Sequence, residues 1–221
     1  MITARWKKEH PGDKLSASTL YRGIRNKIIG DVTATKHLRR RGKRKYSRRS
    51  KYNTIHPEHV IHERPEAANR RARIGDWEGD TIVGAYNKSR LVTLVDRRSR
   101  LLTLRIIKGR NAEDTCKAMK EALEGLPVQS ITLDNGSEFA LFATLEEQLH
   151  TTVYFADPHS PWQRGSNENI NGLIRFFFPK GTDFRKVSPE EVQRVEDLIN
   201  RRPRKCLSWL SPLVFFLLHS T

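Results

Sequence analysis

The order of elements over residues 74–177 constrains the fold most, because three short β-rich runs come first and helices then alternate with strands. Asp80-Thr-Ile-Val, Leu91-Val-Thr-Leu-Val and Leu101-Leu-Thr-Leu-Arg-Ile-Ile are separated by Asn87-Lys88-Ser89 and Arg97-Arg98-Ser99, which predicts three antiparallel strands. A helix is expected from Ala112 to about Glu124. Ala112, Thr115, Cys116, Met119, Ala122 and Leu123 form its apolar face, Asn111 caps it and Gly125 ends it. A fourth strand, Ser130-Ile-Thr-Leu, a helix from about Glu138 to His150 and a fifth strand, Thr152-Val-Tyr-Phe, follow. On a last helix Ile170, Leu173, Ile174 and Phe177 make the buried stripe. Further on, Ser188-Pro189-Glu190-Glu191 is a capping box for a helix carrying Val192, Val195 and Ile199.

The order β-β-β-α-β-α-β-α is the plan of the ribonuclease-H-like fold, an α/β architecture with a mixed sheet flanked by helices. In that plan, carboxylates from the first strand, the fourth strand and the last helix converge, and this chain has an acid at each place. On the first strand Asp76, Glu78 and Asp80 share one face by period two, so alternation leaves all three open. Asp134 sits in the turn Asp134-Asn135-Gly136, at the carboxyl end of the fourth strand, the usual place for chemistry in open α/β sheets. Glu168 shares a helix face with Arg164, Asn171 and Arg175, away from the apolar seam.

Any one of these acids alone is better read as a cap, a turn aspartate or a solvated charge. Together they point to phosphoryl transfer, since clustered anionic oxygens repel one another unless hard cations bind between them. Two Mg²⁺ ions (or Mn²⁺), about 3.5–4 Å apart, would activate the attacking oxygen and stabilise the leaving one. One of Asp76, Glu78 and Asp80, together with Asp134 and Glu168, supplies the candidate ligands and catalytic residues.

The charge balance names the partner class. Forty-one Lys and Arg against 25 Asp and Glu leave a formal charge of +16, which draws polyanions through phosphate contacts and counterion release. Lys36 to Lys51 holds ten of these cations and no acid, too charged to fold by itself, and reads as a basic linker. Lys43, Arg44, Lys45 and Arg48 are its candidate phosphate contacts. Upstream, residues 2–30 read as two short helices around His10-Pro11-Gly12-Asp13. Ser16 caps the second helix, Leu20 and Ile24 form its stripe, and Ser18, Thr19, Arg22 and Arg25 face outward as in a DNA-reading helix. The division expected is a partial helix-turn-helix segment over 1–35, a basic linker over 36–70 and the catalytic core over 71–221.

Cys116 and Cys206 lie far apart without a CxxC partner, which argues against a disulfide framework and fits a reducing cytoplasm. His56, His59 and His62 recur every third residue, but with no cysteine near and Pro57 between them they read as an interdomain loop rather than a zinc site. The longest apolar run, Leu213 to Leu218, is far short of a membrane span.

Three longer motifs carry a resemblance. Trp77-Glu78-Gly79-Asp80, Leu133-Asp134-Asn135-Gly136-Ser137-Glu138-Phe139 and the run Pro161 to Arg175 (Pro-Trp-Gln-Arg-Gly-Ser-Asn-Glu-Asn-Ile-Asn-Gly-Leu-Ile-Arg) resemble the catalytic motifs of bacterial DDE transposases of the IS-thirty family, whose core is integrase-like. The blocks Pro179 to Phe184 and Asn200 to Leu207 are similar to its downstream motifs, so the likeness spans roughly residues 1–212. The resemblance implies that Asp80, the acid after Trp-Glu-Gly, is the metal ligand. It also implies that Arg164, Asn167, Asn171 and Arg175 lie near DNA or the scissile phosphate.

Members of that family carry more helix-turn-helix sequence than lies upstream of Ile2, and Val214 stands where they tend to carry an acid. The function implied is Mg-dependent cleavage at the terminal inverted repeats of an insertion sequence and strand transfer into double-stranded target DNA, by a homo-oligomer. The alternatives are a structure-selective nuclease on the same fold and an inactive, truncated DNA-binding remnant.

Overall fold

The computed structural model describes residues 6, 9–13, 15–33, 57–158 and 160–220, in two compact units divided between residues 50 and 51. In the first unit, helix α1 (Ala17–Arg25) begins as expected: the Ser16 hydroxyl accepts the Thr19 backbone N–H at 3.0 Å. Leu20 and Ile24 are half-buried, while Arg22 and Arg25 are exposed on its outer face. Trp6 stacks on His10 with ring centroids 4.2 Å apart. The rest of the expected first helix, and Lys43, Arg44, Lys45, Arg48 and His56, lie outside the described residues.

The second unit is built on a five-stranded sheet: β1 (Asp76–Val83), β2 (Arg90–Asp96), β3 (Leu102–Ile107), β4 (Ser130–Leu133) and β5 (Thr152–Phe155). Their spatial order is β3-β2-β1-β4-β5, with the first three strands antiparallel and β4 and β5 parallel to β1. Helices α2 (Ala112–Leu123) and α3 (Phe142–Leu149) make the crossovers between β3, β4 and β5. Helices α4 (Gly165–Phe177) and α5 (Pro189–Asn200) follow, and α6 (Pro212–His219) ends the chain.

Alternation along each strand sends its side chains to two separate cores. Trp77, Val92, Leu94, Ile131, Leu133, Val153 and Phe155 pack with Met119 and Leu123 of α2 and Leu145 of α3. Ile82, Leu91, Val95, Leu102 and Leu104 pack with Ile170 and Ile174 of α4 and Val192, Val195 and Ile199 of α5. Each of these large side chains contributes about 1.5–3 kcal/mol when taken fully from water. The outer strand β3 is closed by side chains from α5. Asn200 accepts the Leu102 N–H at 2.9 Å and donates to its carbonyl at 2.8 Å, and Glu196 accepts the Leu104 N–H at 2.7 Å. Over residues 102–104 the edge is therefore taken up by side chains rather than left open to another strand.

Several expectations need correction. The first strand begins at Asp76, four residues earlier than its most β-rich run. The segment after Asp134 opens with a 3-10 turn, Ser137–Phe139, and the α-helix starts only at Phe142. On α4 the deep position is Phe178, which is 2% exposed, whereas Phe177 is 38% exposed. Phe178 continues the i,i+4 row of Ile170 and Ile174 one turn past the helix end, and a helical-wheel reading stops short of it. Residues 57–70 pack within the second unit: Val60 bridges Phe155, Ile61 and Ala68 are buried, and the Arg64 guanidinium donates to Thr132 at 3.0 Å. Among the described residues no helix is long and apolar enough to cross a membrane.

Candidate active site

The register between β1 and β4 sets the site. Glu78 lies opposite Thr132 in this parallel pair, so two residues further along, on the same face, Asp80 comes opposite Asp134. Both carboxylates reach one cation: Arg164 Nη2 is 2.9 Å from Asp134 Oδ2, and Arg164 Nη1 is 3.6 Å from Asp80 Oδ1. Arg164 also donates to the Gly79 carbonyl at 3.1 Å, which ties the start of α4 to the strand that carries Asp80.

Each aspartate is also held by neutral donors. Asp80 Oδ1 accepts its neighbour's N–H, that of Thr81, at 2.8 Å, and Asp80 Oδ2 accepts the Asn171 side-chain amide at 2.8 Å. Burial raises the Asp80 pKa, and the nearby Asp134 charge raises it further, against the lowering effects of Arg164, the Thr81 N–H and Asn171. Asp134 Oδ1 accepts the Gly136 N–H at 3.0 Å, and Asn135 donates to the Ala156 carbonyl at 2.7 Å, which pins the turn to the end of β5. A Cβ on Gly136 would fall 2.8 Å from the Glu138 carboxyl and 2.9 Å from Asp134 Oδ1, so a larger residue there would displace both carboxylates.

The three acids left open by alternation on β1 have separate fates. Asp76 is buried and paired with Arg73 at 2.9 Å and the Ser130 hydroxyl at 2.6 Å. Glu78 is buried against Arg97, and its second oxygen accepts the backbone N–H groups of Ser166 at 3.0 Å and Asn167 at 3.1 Å, which caps the start of α4. Only Asp80 opens toward solvent.

Glu168 is exposed on the first turn of α4. It lies four residues after Arg164 and three before Asn171, both of which touch Asp80, so its helix face is the one turned to the aspartates. Its carboxylate is not gathered with theirs: among the described residues no three of His, Cys, Asp and Glu form a set able to hold a metal ion. The pair Asp80 and Asp134 therefore meets, and the third acid stands beside it.

Of the other expected residues, Arg175 donates to the Val83 carbonyl at 3.2 Å, at the end of β1, and burial lowers its pKa. Asn167 is 1% exposed, with both side-chain polar atoms buried and without partners, where the cap formed by Glu78 draws this turn against the sheet. His59 pairs with Glu63 at 3.4 Å and His62 with Asp157 at 2.9 Å.

Sequence reasoning missed Glu138, which accepts the Thr81 hydroxyl at 2.8 Å and pairs with Arg90 at 2.6 Å beside the two aspartates. Burial opposes its ionisation, yet its own backbone N–H, Arg90 and Thr81 together lower its pKa. Its position four residues after Asp134 was the available signal.

Comparison with known proteins places this arrangement. Residues 70–161 match the model of the integrase core domain. The fold is that of retroviral integrase catalytic cores. A simian T-cell lymphotropic virus intasome in complex with PP2A regulatory subunit B56 gamma aligns with a TM-score of 0.55 at 20% identity, over 67% of this chain and 55% of that one. The catalytic core domain of BIV integrase aligns with a TM-score of 0.51 at 17% identity, over 65% of this chain and 93% of that one.

The chain is similar to transposases of insertion sequence elements, IS30 among them. It is 38% identical over 204 residues to the transposase for insertion sequence element IS4351 of Bacteroides fragilis, covering 90% of this chain and 62% of the relative. It is 36% identical over 210 residues to transposase InsI for insertion sequence element IS30A of Escherichia coli, covering 90% and 55%. The chain thus spans between half and two-thirds of the length of these relatives.

Proposed function

We propose that this chain acts as a DNA transposase, cutting at the ends of an insertion sequence to free a 3′ hydroxyl and joining that hydroxyl to target DNA. The observation that carries the reading is the meeting of Asp80 and Asp134 at the carboxyl edge of parallel strands, with the Glu168 helix face turned toward them. The names of its relatives support it.

The donor set fits a hard divalent cation. Two carboxylates share one guanidinium, that of Arg164, and burial together with the Asp134 charge raises the Asp80 pKa. Asp80, Asp134 and Glu168 are the residues that would hold Mg²⁺ or Mn²⁺, as two ions. When bound, such ions polarise the phosphodiester and stabilise charge on the attacking and leaving oxygens. Asn171 and the Thr81 N–H keep Asp80 oriented, and the Gly136 N–H does the same for Asp134. Arg164 and Arg175 line the approach to these acids and supply cationic donors to phosphate oxygens.

Arg22 and Arg25, exposed on α1, and Lys43, Arg44, Lys45 and Arg48 add contacts to duplex DNA, at the terminal repeats and in the target. Two ends must be joined in one event, so the working unit is a homo-oligomer, acting in the cytoplasm.

Asp134→Asn should abolish Mg²⁺-dependent cleavage and strand transfer of a labelled element end into plasmid, while duplex binding persists. Cleavage by that variant at the wild-type rate overturns the assignment. Glu168 standing apart from the aspartate pair favours, as a second reading, a DNA-binding protein without cleavage. Tight binding by the unmodified chain with no metal-dependent product would establish that reading. Cleavage without strand transfer would instead establish a nuclease.

A further inference from the structure

A second cationic site lies on another face of α4. Four stretches of chain meet around a cavity of 330 Å³: Arg71 after the one-turn helix Glu66–Asn69, Arg100 in the β2–β3 turn, Gly165, Ser166 and Asn169 at the start of α4, and Arg204 in the loop after α5. Three guanidinium groups line it and no carboxylate does. The nearby acid, Glu78, is engaged by Arg97 and by the N–H groups of Ser166 and Asn167, so the helix start is already capped. Among the described residues no acid forms an ion pair with Arg71, Arg100 or Arg204. Arg100 donates only to the Ser166 hydroxyl, and the Nε and Nη2 atoms of Arg204 are buried without a partner.

Such an arrangement costs stability unless something anionic completes it. Burial and the charges of Arg100 and Arg97 lower the Arg71 pKa, and burial with Arg202 and Arg100 lowers that of Arg204, so the cluster repels itself. Arg71 and Arg100 are moreover held at φ of 56° and 64°, a left-handed conformation that disfavours side chains. Orphaned buried donors, like charge without counter-charge and strained backbone coincide at one cavity. A phosphate group answers the first two, because its oxygens accept several guanidinium N–H bonds at once and its charge offsets theirs.

We propose that Arg71, Arg100 and Arg204 form a phosphate-binding pocket that takes a backbone phosphodiester of DNA, separate from the Asp80–Asp134 pair and sharing helix α4 with it. The identity of the anion as DNA rests on the function proposed above; the existence of the pocket does not.

The test compares wild type, Arg71→Gln, the double variant Arg71→Gln with Arg204→Gln, and Arg194→Gln, which removes an exposed charge from α5 outside the pocket. Thermal melting in rising inorganic phosphate should show wild type and R194Q stabilised alike, and the double variant stabilised several-fold less. Binding to a random-sequence duplex without divalent metal, measured over a salt series, should weaken several-fold in the double variant. The slope of log affinity against log salt should fall by about 1 for each phosphate lost. Arg71 is exposed and its backbone bond to the Ala68 carbonyl survives the substitution, so R71Q alone carries the test if the double variant does not fold.

Equal slopes and affinities in wild type and the pocket variants, or an equal loss in R194Q, overturn the proposal. Phosphate stabilisation that the variants lose with DNA binding unchanged overturns the DNA assignment in favour of a small free anion. Because no arm requires cleavage, an inactive protein that still shows the reduced slope would sink the transposase reading and leave the pocket standing.

Discussion

The carboxylate of Glu78 accepts the backbone N–H of Ser166 at 3.0 Å, so the acid two residues before Asp80 holds the start of the helix that carries Glu168. The same carboxylate neutralises Arg97, which is 5% exposed. Removing one member of such a buried pair leaves an uncompensated charge and costs about 3–5 kcal/mol. Glu78→Gln, which keeps an acceptor for the helix N–H groups but loses the charge, should lie near the lower end of that range in urea unfolding. A loss below about 1 kcal/mol would show that the Arg97 charge does not depend on Glu78 for its compensation.

Arg164 is the counter-charge shared by Asp80 and Asp134. Arg164→Gln should lower the melting temperature in EDTA, since the two carboxylates then face each other without a cation. It should also enlarge the stabilisation gained on adding Mg²⁺. Saturation to 100 times the dissociation constant corresponds to about 2.7 kcal/mol. An Mg²⁺ response identical to that of wild type would mean that metal and guanidinium do not compete for the same acids.

Asn171 donates to Asp80 Oδ2 at 2.8 Å and accepts the Thr93 hydroxyl at 3.4 Å. Residues that orient a metal ligand are typically worth about 10–100-fold in activity or metal affinity. Asn171→Ala should therefore reduce metal-dependent cleavage by about that factor, raise the metal concentration needed for half-activity, and leave the melting temperature nearly unchanged. Full activity in N171A would remove it from the site.

Neighbouring phenylalanines at the end of α4 should behave differently. Phe178 packs edge-on against Phe184, with ring centroids 5.7 Å apart, and is nearly inaccessible, whereas Phe177 is partly open to solvent. Phe178→Ala should cost about 3–5 kcal/mol in chemical denaturation. Phe177→Ala should cost about 1 kcal/mol or less. Similar losses for the two variants would contradict the placement of the helix end.

The strand and helix order was legible because period-two and period-3.6 patterns are local, and so were the caps at Ser16, Asn111 and Ser188, each of which binds its predicted N–H neighbourhood within one turn. Asp134 was legible for the same reason, as an acid in a turn that ends a strand. The roles of Asp76, Glu78 and Asp80 were not, because one face of one strand makes them equivalent until the partners across the sheet are known. The surroundings of Glu138 and Asn167 were not legible either: each reads as a polar residue on a loop or helix face, and its burial depends on segments far away in sequence.

What the chain's residues determine by themselves is the alternation that builds a mixed sheet, the excess of positive charge and the presence of an acid at each of three expected places. Tertiary structure decides which acids meet, because the parallel register of β1 and β4 sets Asp80 against Asp134, and the cap from Glu78 sets the azimuth of α4. It also decides that Arg71, Arg100 and Arg204 surround one cavity. Electrostatic interaction falls with distance through space rather than along the chain, so no local pattern records such encounters.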